Sequence, residues 1–497
     1  MGGTVRLISI ILFLLHFIIC QTINYNVDLI HNIEFENASN NFGVSDVWGY
    51  TDETGIEYAI VGYQYGTSII DISSNSNTYN EVANIIGPST GDYYFHRDYK
   101  TFGDYLYIVN EMYGGDVGMQ IVDLSPLPYN PPIQLETYNY IAQSHNLWID
   151  SSGYVFIEHQ TGDNIHIANL NPNPSSPVYS GTFGSLAANC HDIYTRNNIA
   201  YVSEGWSNQF GIYDINNLDN IIQLATIPCE GYAHNAWLND TEDILVTTEE
   251  TDNMTIKIWD ISSLDNITLL SEYLGENNLA HNVHIQDNFL YISHYTTGLK
   301  IVDIFNPSYP VEVAAYDTYP QNDGSGFYGC WGAFPFTNNN YVYASDMQNG
   351  LYILEFNEIN AGWVSGNIYF NNNIPLTNAS IRSLLNNKTY YSNNNGEFII
   401  GFPEGEHLFS INEQDTISIN FLPHETINQN IFIGNELILG DINQDSVIDV
   451  LDIIILINII LNNYEANNQE LWSGDINNDN VINIQDVILI IQIILNN

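Results

Sequence analysis

The sequence predicts a mostly β chain in three parts: a seven-bladed β-propeller closed by its N-terminal strand, a small β-sandwich, and a small α-helical, EF-hand-like domain. Three observations predict it. A four-residue pattern recurs seven times at blade-like spacing. A segment of short strands broken by Asn-Gly and Pro-Gly turns follows. The C-terminal stretch then repeats a loop rich in Asp and Asn, each copy followed by an apolar helix.

The seven copies are Ser45-Asp46-Val47-Trp48, His96-Arg97-Asp98-Tyr99, His145-Asn146-Leu147-Trp148, His191-Asp192-Ile193-Tyr194, His234-Asn235-Ala236-Trp237, His281-Asn282-Val283-His284 and the degenerate Trp331-Gly332-Ala333-Phe334. They are 51, 49, 46, 43, 47 and 50 residues apart. A second column keeps the same period. It reads Ile69-Ile70-Asp71, Ile121-Val122-Asp123, Ile167-Ala168-Asn169, Ile212-Tyr213-Asp214, Ile258-Trp259-Asp260, Ile301-Val302-Asp303 and Ile353-Leu354-Glu355. Between the columns lies another strand, such as Tyr291-Ile292-Ser293. Four short alternating strands per unit cannot bury both faces alone, so the units must stack, and a ring of blades results. The repeated acid after the second column should start a turn, as in Asp71-Ile72-Ser73. Most units end on a fourth strand, such as Pro310-Val311-Glu312-Val313, but none follows Glu355. Val27-Asp28-Leu29-Ile30 fits that slot and would remove an open sheet edge.

These columns resemble the LVIVD repeat of the choice-of-anchor B family of exported bacterial proteins, over about residues 22–357. Ile301-Val302-Asp303-Ile304 is nearly the literal motif. The resemblance implies a secreted or surface propeller and supplies no chemistry.

The chain has 497 residues, room for three or four domains. Hydrophobic residues make up 45%, which is enough for large cores and excludes global disorder. Lys and Arg number 8 against 58 Asp and Glu, a net charge of −50. Nothing so acidic can neutralise phosphates, so a nucleic-acid partner is excluded, as is attraction to anionic membranes. Self-repulsion on this scale calls for counter-cations or a salty medium.

Residues 1–6 carry one positive charge and residues 7–20 are an apolar run. This predicts a signal peptide over 1–20, with secretion to the exterior or cell surface and no membrane span in the mature chain. An uncleaved anchor is the competing reading. Large residues before Cys20 argue against a lipoprotein. Cys190, Cys229 and Cys330 then remain, an odd number that is no disulfide framework. A Cys190–Cys229 bridge and buried free thiols both stay open.

Residues 361–434 change character. Val364-Ser365-Gly366-Asn367-Ile368 reads as a strand, and Asn395-Gly396-Glu397-Phe398 and Pro403-Glu404-Gly405 mark turns. Asn371 to Asn373 reads as a turn rather than a site. The order is similar to the carboxypeptidase regulatory-like module, an immunoglobulin-like spacer without catalytic residues.

Residues 436–497 carry the strongest motif. Oxygen side chains fall at loop positions 1, 3, 5, 9 and 12: Asp441, Asn443, Asp445, Asp449 and Asp452, then Asp475, Asn477, Asp479, Asn483 and Asp486. Val447 and Val481 at position 7 would add backbone carbonyls. Alternating residues of a tight loop point inward, so this spacing predicts two calcium ions. Helices are expected over 453–461 and 487–495. Position 6 holds Ser446 and Asn480 where an EF-hand wants Gly. Helix caps without metal are the bland reading of either loop alone. Two such repeats look like a dockerin type I domain, which implies calcium-dependent folding and a cohesin-like partner. Positions 10 and 11 depart from the Ser-Thr pairs frequent there, being Val450-Leu451 and Ile484-Gln485. Cohesin specificity therefore does not carry over.

The propeller mouth is the remaining candidate site. First strands line the channel, so His96, His145, His191, His234 and His281 should converge there. Second strands end in Glu111, Glu158 with His159, Glu204, Glu249 with Glu250, His294 and Asp346, which should lie on the same face. Imidazoles facing carboxylates could bind a transition metal or exchange protons. The bland reading is blade registry, each His bonding to neighbouring backbone. No phosphate loop, nucleophile elbow or His-Glu-x-x-His helix is present, and no catalytic residue is assigned. The main reading is a secreted calcium-binding recognition or adhesion protein, with an unknown ligand at the propeller and docking into an extracellular, polysaccharide-handling assembly. The alternative is a metal-dependent propeller enzyme, and a structural surface-layer component comes third.

Overall fold

The computed structural model describes residues 24–35, 43–73, 79–87, 96–111, 118–158, 165–254, 256–275, 279–321, 324–370, 374–413, 415–433 and 438–496. The expected signal segment, His159 and residues 371–373 lie outside them. The chain divides into two compact units, 1–361 and 362–497. The described residues are mostly β with three helices, and none of those helices is long and apolar enough to cross a membrane.

The first unit contains seven four-stranded antiparallel sheets, none of which closes on itself. Their first strands are Val44–Thr51, Arg97–Phe102, Leu147–Ile149, Asp192–Arg196, Ala233–Leu238, Val283–Gln286 and Cys330–Phe334, so each begins in or beside one copy of the repeat. First strands pack on one another in chain order, and the seventh packs on the first. Cores sit between successive sheets. Ile33, Val44, Val61, Phe334 and Ile353 share one cluster between the seventh and first sheets. Tyr58, Ile69, Tyr99 and Ile108 share the next.

The seventh sheet takes its fourth strand from the N-terminus. Asp28–Ile33 pairs antiparallel with Gly350–Glu355, placing Asp28 opposite Glu355 and Ile33 opposite Leu351. The expected strand therefore forms in the expected slot, three residues longer at its C-terminal end. Chain entropy alone would leave these ends apart; burial of Ile33 and the ladder hold them together.

The second column also behaves as its residues dictate. Asp71, Asp123, Asn169, Asp214, Asp260 and Asp303 each accept a hydrogen bond at 2.7–2.9 Å from the backbone N–H two residues on. These are Asx turns that end the third strands. Five of these strands also carry a register shift against the fourth strand, at Ile69/Ile70, Ile167/Ala168, Ile212/Tyr213, Ile258/Trp259 and Ile301/Val302. Such a bulge adds local twist, and nothing in the repeat announces it.

The three described thiols are free, so Cys190 and Cys229 are not bridged. Each donates to the carbonyl two residues on, at 3.3–3.7 Å.

The second unit contains two sheets around one core of Val364, Ile368, Ile381, Ile400, Phe409 and Ile431 among others. The strand expected near Val364 runs Ala361–Phe370. After it come three helices: α1 (Val450–Ile460), α2 (Asn468–Gly474) and α3 (Ile484–Asn496). α1 and α3 start three residues earlier than expected. Position 9 of each loop acts as an N-cap: Asp449 accepts from Leu451 N–H and Asn483 from Gln485 N–H. Position 12 returns the bond, accepting from the N–H of position 9, so a capping box pulls the helix back into the loop. α2 was not expected; Asn467 and Glu470 form a capping box of their own there. Ile442, Leu456, Val487 and Ile490 make the small core that joins the helices.

Candidate functional site

Two regions bring the expected residues together. In the C-terminal one, the two loops make matching backbone bonds, position for position. Asp452 Oδ1 accepts from Ile442 and Asn443 N–H at 2.7 and 3.1 Å, and Asp486 Oδ1 from Ile476 and Asn477 N–H at 3.0 and 3.4 Å. Asp441 accepts from Asp445 and Ser446 N–H, and Asp475 from Asp479 and Asn480 N–H. Position 3 donates to position 5 in both: Asn443 to Asp445 at 2.9 Å and Asn477 to Asp479 at 2.8 Å. In the second loop alone, Asn483 Nδ2 donates to the Val481 carbonyl at 3.1 Å, so positions 7 and 9 meet there. Asp441, Asp452, Asp475 and Asp486 are buried. Among the described residues no Lys or Arg forms an ion pair with any of these acids.

Loop curvature explains the convergence. Positions 4 and 6 are left-handed in both copies, with φ of 60° and 68° at Gln444 and Ser446 and 60° and 63° at Asn478 and Asn480. Position 6 thus keeps the conformation that Gly usually supplies, and Ser446 bears the larger steric cost. The donor set is all oxygen, which suits a hard cation such as Ca²⁺.

In the first unit, the five repeat histidines and Trp331 form a closed circuit of touching rings. Successive centroids are 4.1 Å (His96–His145), 4.6 Å (His145–His191), 4.1 Å (His191–His234), 4.4 Å (His234–His281), 4.4 Å (His281–Trp331) and 5.3 Å (Trp331–His96). Ser45 occupies the same slot in the first copy but is too short to join; its hydroxyl accepts from Arg97 N–H at 3.3 Å. Three imidazoles bond to the backbone of the next copy. His96 Nε2 donates to the His145 carbonyl at 2.8 Å, His191 Nδ1 to that of His234 at 3.1 Å, and His281 Nδ1 to that of Trp331. The registry role is therefore physically present.

Carboxylates face the circuit unevenly. Glu111 lies 3.1 Å from His145 Nδ1, and Glu158 accepts from His145 N–H at 3.0 Å. Glu250 Oε1 lies 3.7 Å from His234 Nε2 and 4.0 Å from His281 Nε2, and it accepts from the Tyr295 hydroxyl. Electrostatics divide the ring accordingly. Burial pushes the His145 imidazole down, but the Glu111 carboxylate outweighs it and holds the group up at about 10. Burial would raise Glu111, yet His145 pulls it down to about 2. Burial lowers His96 to about 4 and His281 to about 3, and takes His191 and His234 well below the usual range. Burial raises Glu158 and Glu250 to about 7. One imidazolium thus sits among four neutral imidazoles.

The other expected mouth residues have different partners. Glu204 accepts from Tyr213 and Gln209 within its own sheet. Glu249 pairs with Lys257 and caps Glu230 and Gly231 N–H, so its neighbour Glu250 is the acid facing the histidines. His294 meets Thr297 and the Leu274 carbonyl, and Asp346 holds Thr318 and a turn at Gln348 and Asn349. These groups are held by partners other than the five repeat histidines. Strand alternation sends adjacent residues to opposite sides. Tyr295, left-handed at φ 42°, was missed; its ring lies 5.0 Å from His281. No repeated position announced it.

Residues 279–318 match the LVIVD repeat. Residues 439–495 match the dockerin type I domain. No curated protein matches the chain. Among solved structures the chain is similar to the computationally designed Ika8 protein, at 11% identity and a TM-score of 0.42, covering 64% of this chain and 97% of that one. The chain thus carries an LVIVD repeat and, at its C-terminus, a dockerin type I domain.

Proposed function

We propose that the chain is a secreted recognition protein that docks through its C-terminal domain, in a calcium-dependent way, to a cohesin-bearing extracellular assembly. One observation carries the reading: two loops with oxygen donors at the same positions, matching backbone bonds and the same left-handed turns, within a segment similar to dockerin type I domains. Asp441, Asn443, Asp445, Val447, Asp449 and Asp452 would hold one Ca²⁺, and Asp475, Asn477, Asp479, Val481, Asn483 and Asp486 the other. Calcium then replaces repulsion among crowded carboxylates with coordination, and binding energy becomes folding energy. The helices offer a surface to match. Val450 and Ile454 on α1 with Leu461 at its C-cap, and Ile484, Ile488 and Leu495 on α3, are all exposed, at equivalent places in the two copies. An apolar face that begins at position 10 of each copy, Val450 and Ile484, suits a partner with an apolar counterpart.

The first unit, over about 22–357, is read as a seven-bladed propeller that presents a recognition face. Sheet-to-sheet packing that returns from the seventh to the first, the exchanged N-terminal strand and the LVIVD repeat support this. The segment 361–434 is read as a sandwich-like spacer, and 436–497 as the docking domain. A role in polysaccharide handling, and the likeness to choice-of-anchor B and carboxypeptidase regulatory-like modules, rest on sequence resemblance.

The test is binding of the full chain to a panel of cohesin modules, in calcium and in chelator. The reading expects calcium-dependent capture by at least one module, weakened by Val450→Asp and Ile484→Asp together. Capture that survives chelation, or that ignores both substitutions, contradicts it.

A further inference from the structure

We propose that His234, Glu250 and His281 form a binding site for one divalent transition-metal ion of zinc-like chemistry, distinct from the calcium loops. Their ligand atoms all lie within 4.8 Å of one another. The two nitrogen-to-carboxylate separations are 3.7 and 4.0 Å. Ligands at about 2.0–2.2 Å around a tetrahedral ion stand roughly 3.3–3.5 Å apart. The two carboxylate-to-imidazole separations need to close by about half an ångström or less to hold an ion.

The second observation is an orphaned lone pair. His281 Nδ1 donates to the Trp331 carbonyl, which leaves Nε2 as the bare acceptor of the ring. That atom has no hydrogen-bond partner, although His281 is only 2% exposed. It points toward an acceptor, the Glu250 carboxylate, which the Tyr295 hydroxyl already holds in place. Two acceptors aimed at each other in a buried site repel unless a cation or a proton lies between them. A metal bridges all three donors at once, whereas one proton serves one pair.

The surroundings are prepared for such an ion. The Trp331 carbonyl and the Tyr295 hydroxyl act as outer-sphere supports. Tyr295 reaches Glu250 from a left-handed backbone, a costly conformation that is retained where a site requires it. No other part of the circuit has this set. Glu111 lies 3.1 Å from His145 Nδ1, a pair of one imidazole with one acid rather than two with one. With three protein donors, the ion would keep an open position, as catalytic and ligand-binding zinc sites do.

The experiment uses the full chain, stripped by chelator and reloaded with excess calcium so that the tail loops are filled. Zinc is then titrated by calorimetry, and retained metal is counted by elemental analysis after desalting. One zinc per chain is expected. Glu250→Gln and His281→Gln should each weaken it about tenfold or more, while Asp441→Ala with Asp475→Ala should leave it unchanged. Cobalt in place of zinc should give the visible absorption of a low-coordinate nitrogen and oxygen site in the unmodified chain. That measurement decides the matter even if a variant fails to fold. No zinc retained beside calcium, no cobalt spectrum, or undiminished zinc in Glu250→Gln would overturn the site and leave a proton shared between Glu250 and a histidine.

Discussion

The two repeated regions use repetition in opposite ways. In the tail, 34 residues separate two loops with matching backbone bonds, from the left-handed sixth residue to the acid at position 12. Sequence identity of role and structural identity coincide. In the first unit the histidine column repeats, but the roles diverge. His96, His191 and His281 tie one copy to the backbone of the next, His145 pairs with Glu111, and His234 and His281 share Glu250. A repeat that stays uniform marks one job done twice. A repeat that breaks uniformity marks where framework ends and a site begins.

The largest effect expected is on the framework. Deleting residues 22–36 removes the strand opposite Gly350–Glu355 together with buried Ile33, and bares the edge of the seventh sheet. We expect a loss of about 3 kcal/mol or more and a clear fall in melting temperature of the whole first unit. An unchanged melting curve would mean that the exchanged strand is ornamental.

Next comes the acid that is common to loop and helix. Asp452→Ala orphans three backbone donors, those of Ile442, Asn443 and Asp449. Each orphan costs about 1–3 kcal/mol, so the tail should lose its helical signal even in calcium. Asp486→Ala should do the same. A variant in which only one loop melts would break the equivalence of the copies.

The Glu111–His145 pair gives a smaller, pH-dependent effect. His145 has a folded pKa of about 10, above its unfolded value, so its contribution is complete below about pH 6.5 and fades as pH rises toward 10. Glu111 has a folded pKa of about 2, so its contribution is complete above about pH 4.5 and fades as pH falls toward 2. Melting temperature should therefore decline from pH 7 to 10, and Glu111→Gln should shrink that decline. Equal declines in both proteins would remove the pair from the account.

The smallest effect sharpens the loop comparison. Loop 1 has Asp449 at position 9 and loop 2 has Asn483. Asn483→Asp should tighten the second site severalfold, because charge count tunes affinity at equal rigidity. Calorimetry that finds no change would show rigidity, not charge, to be limiting.

Much of this was legible in the residues because it follows from periodicity and spacing. The seven strand sets, the closing strand near Asp28, the Asx turns after the second column and the convergence of five histidines all come from patterns of fixed register. What escaped depends on single contacts. Whether Glu249 or Glu250 faces the histidines is a choice of strand side, one residue wide. Tyr295 reaches Glu250 from a left-handed backbone that no repeated position encodes. The early start of α1 and α3 follows from a capping box hidden inside the loop motif itself.

The central claim is that the tail loops are calcium sites that make docking possible. Calorimetric titration of calcium into the full chain, beside a chain ending at residue 433, tests it most directly. The account predicts two ions bound by the full chain beyond any bound by the shorter one, the first loop the tighter. Equal heats from the two proteins would contradict it and reduce both loops to capped turns.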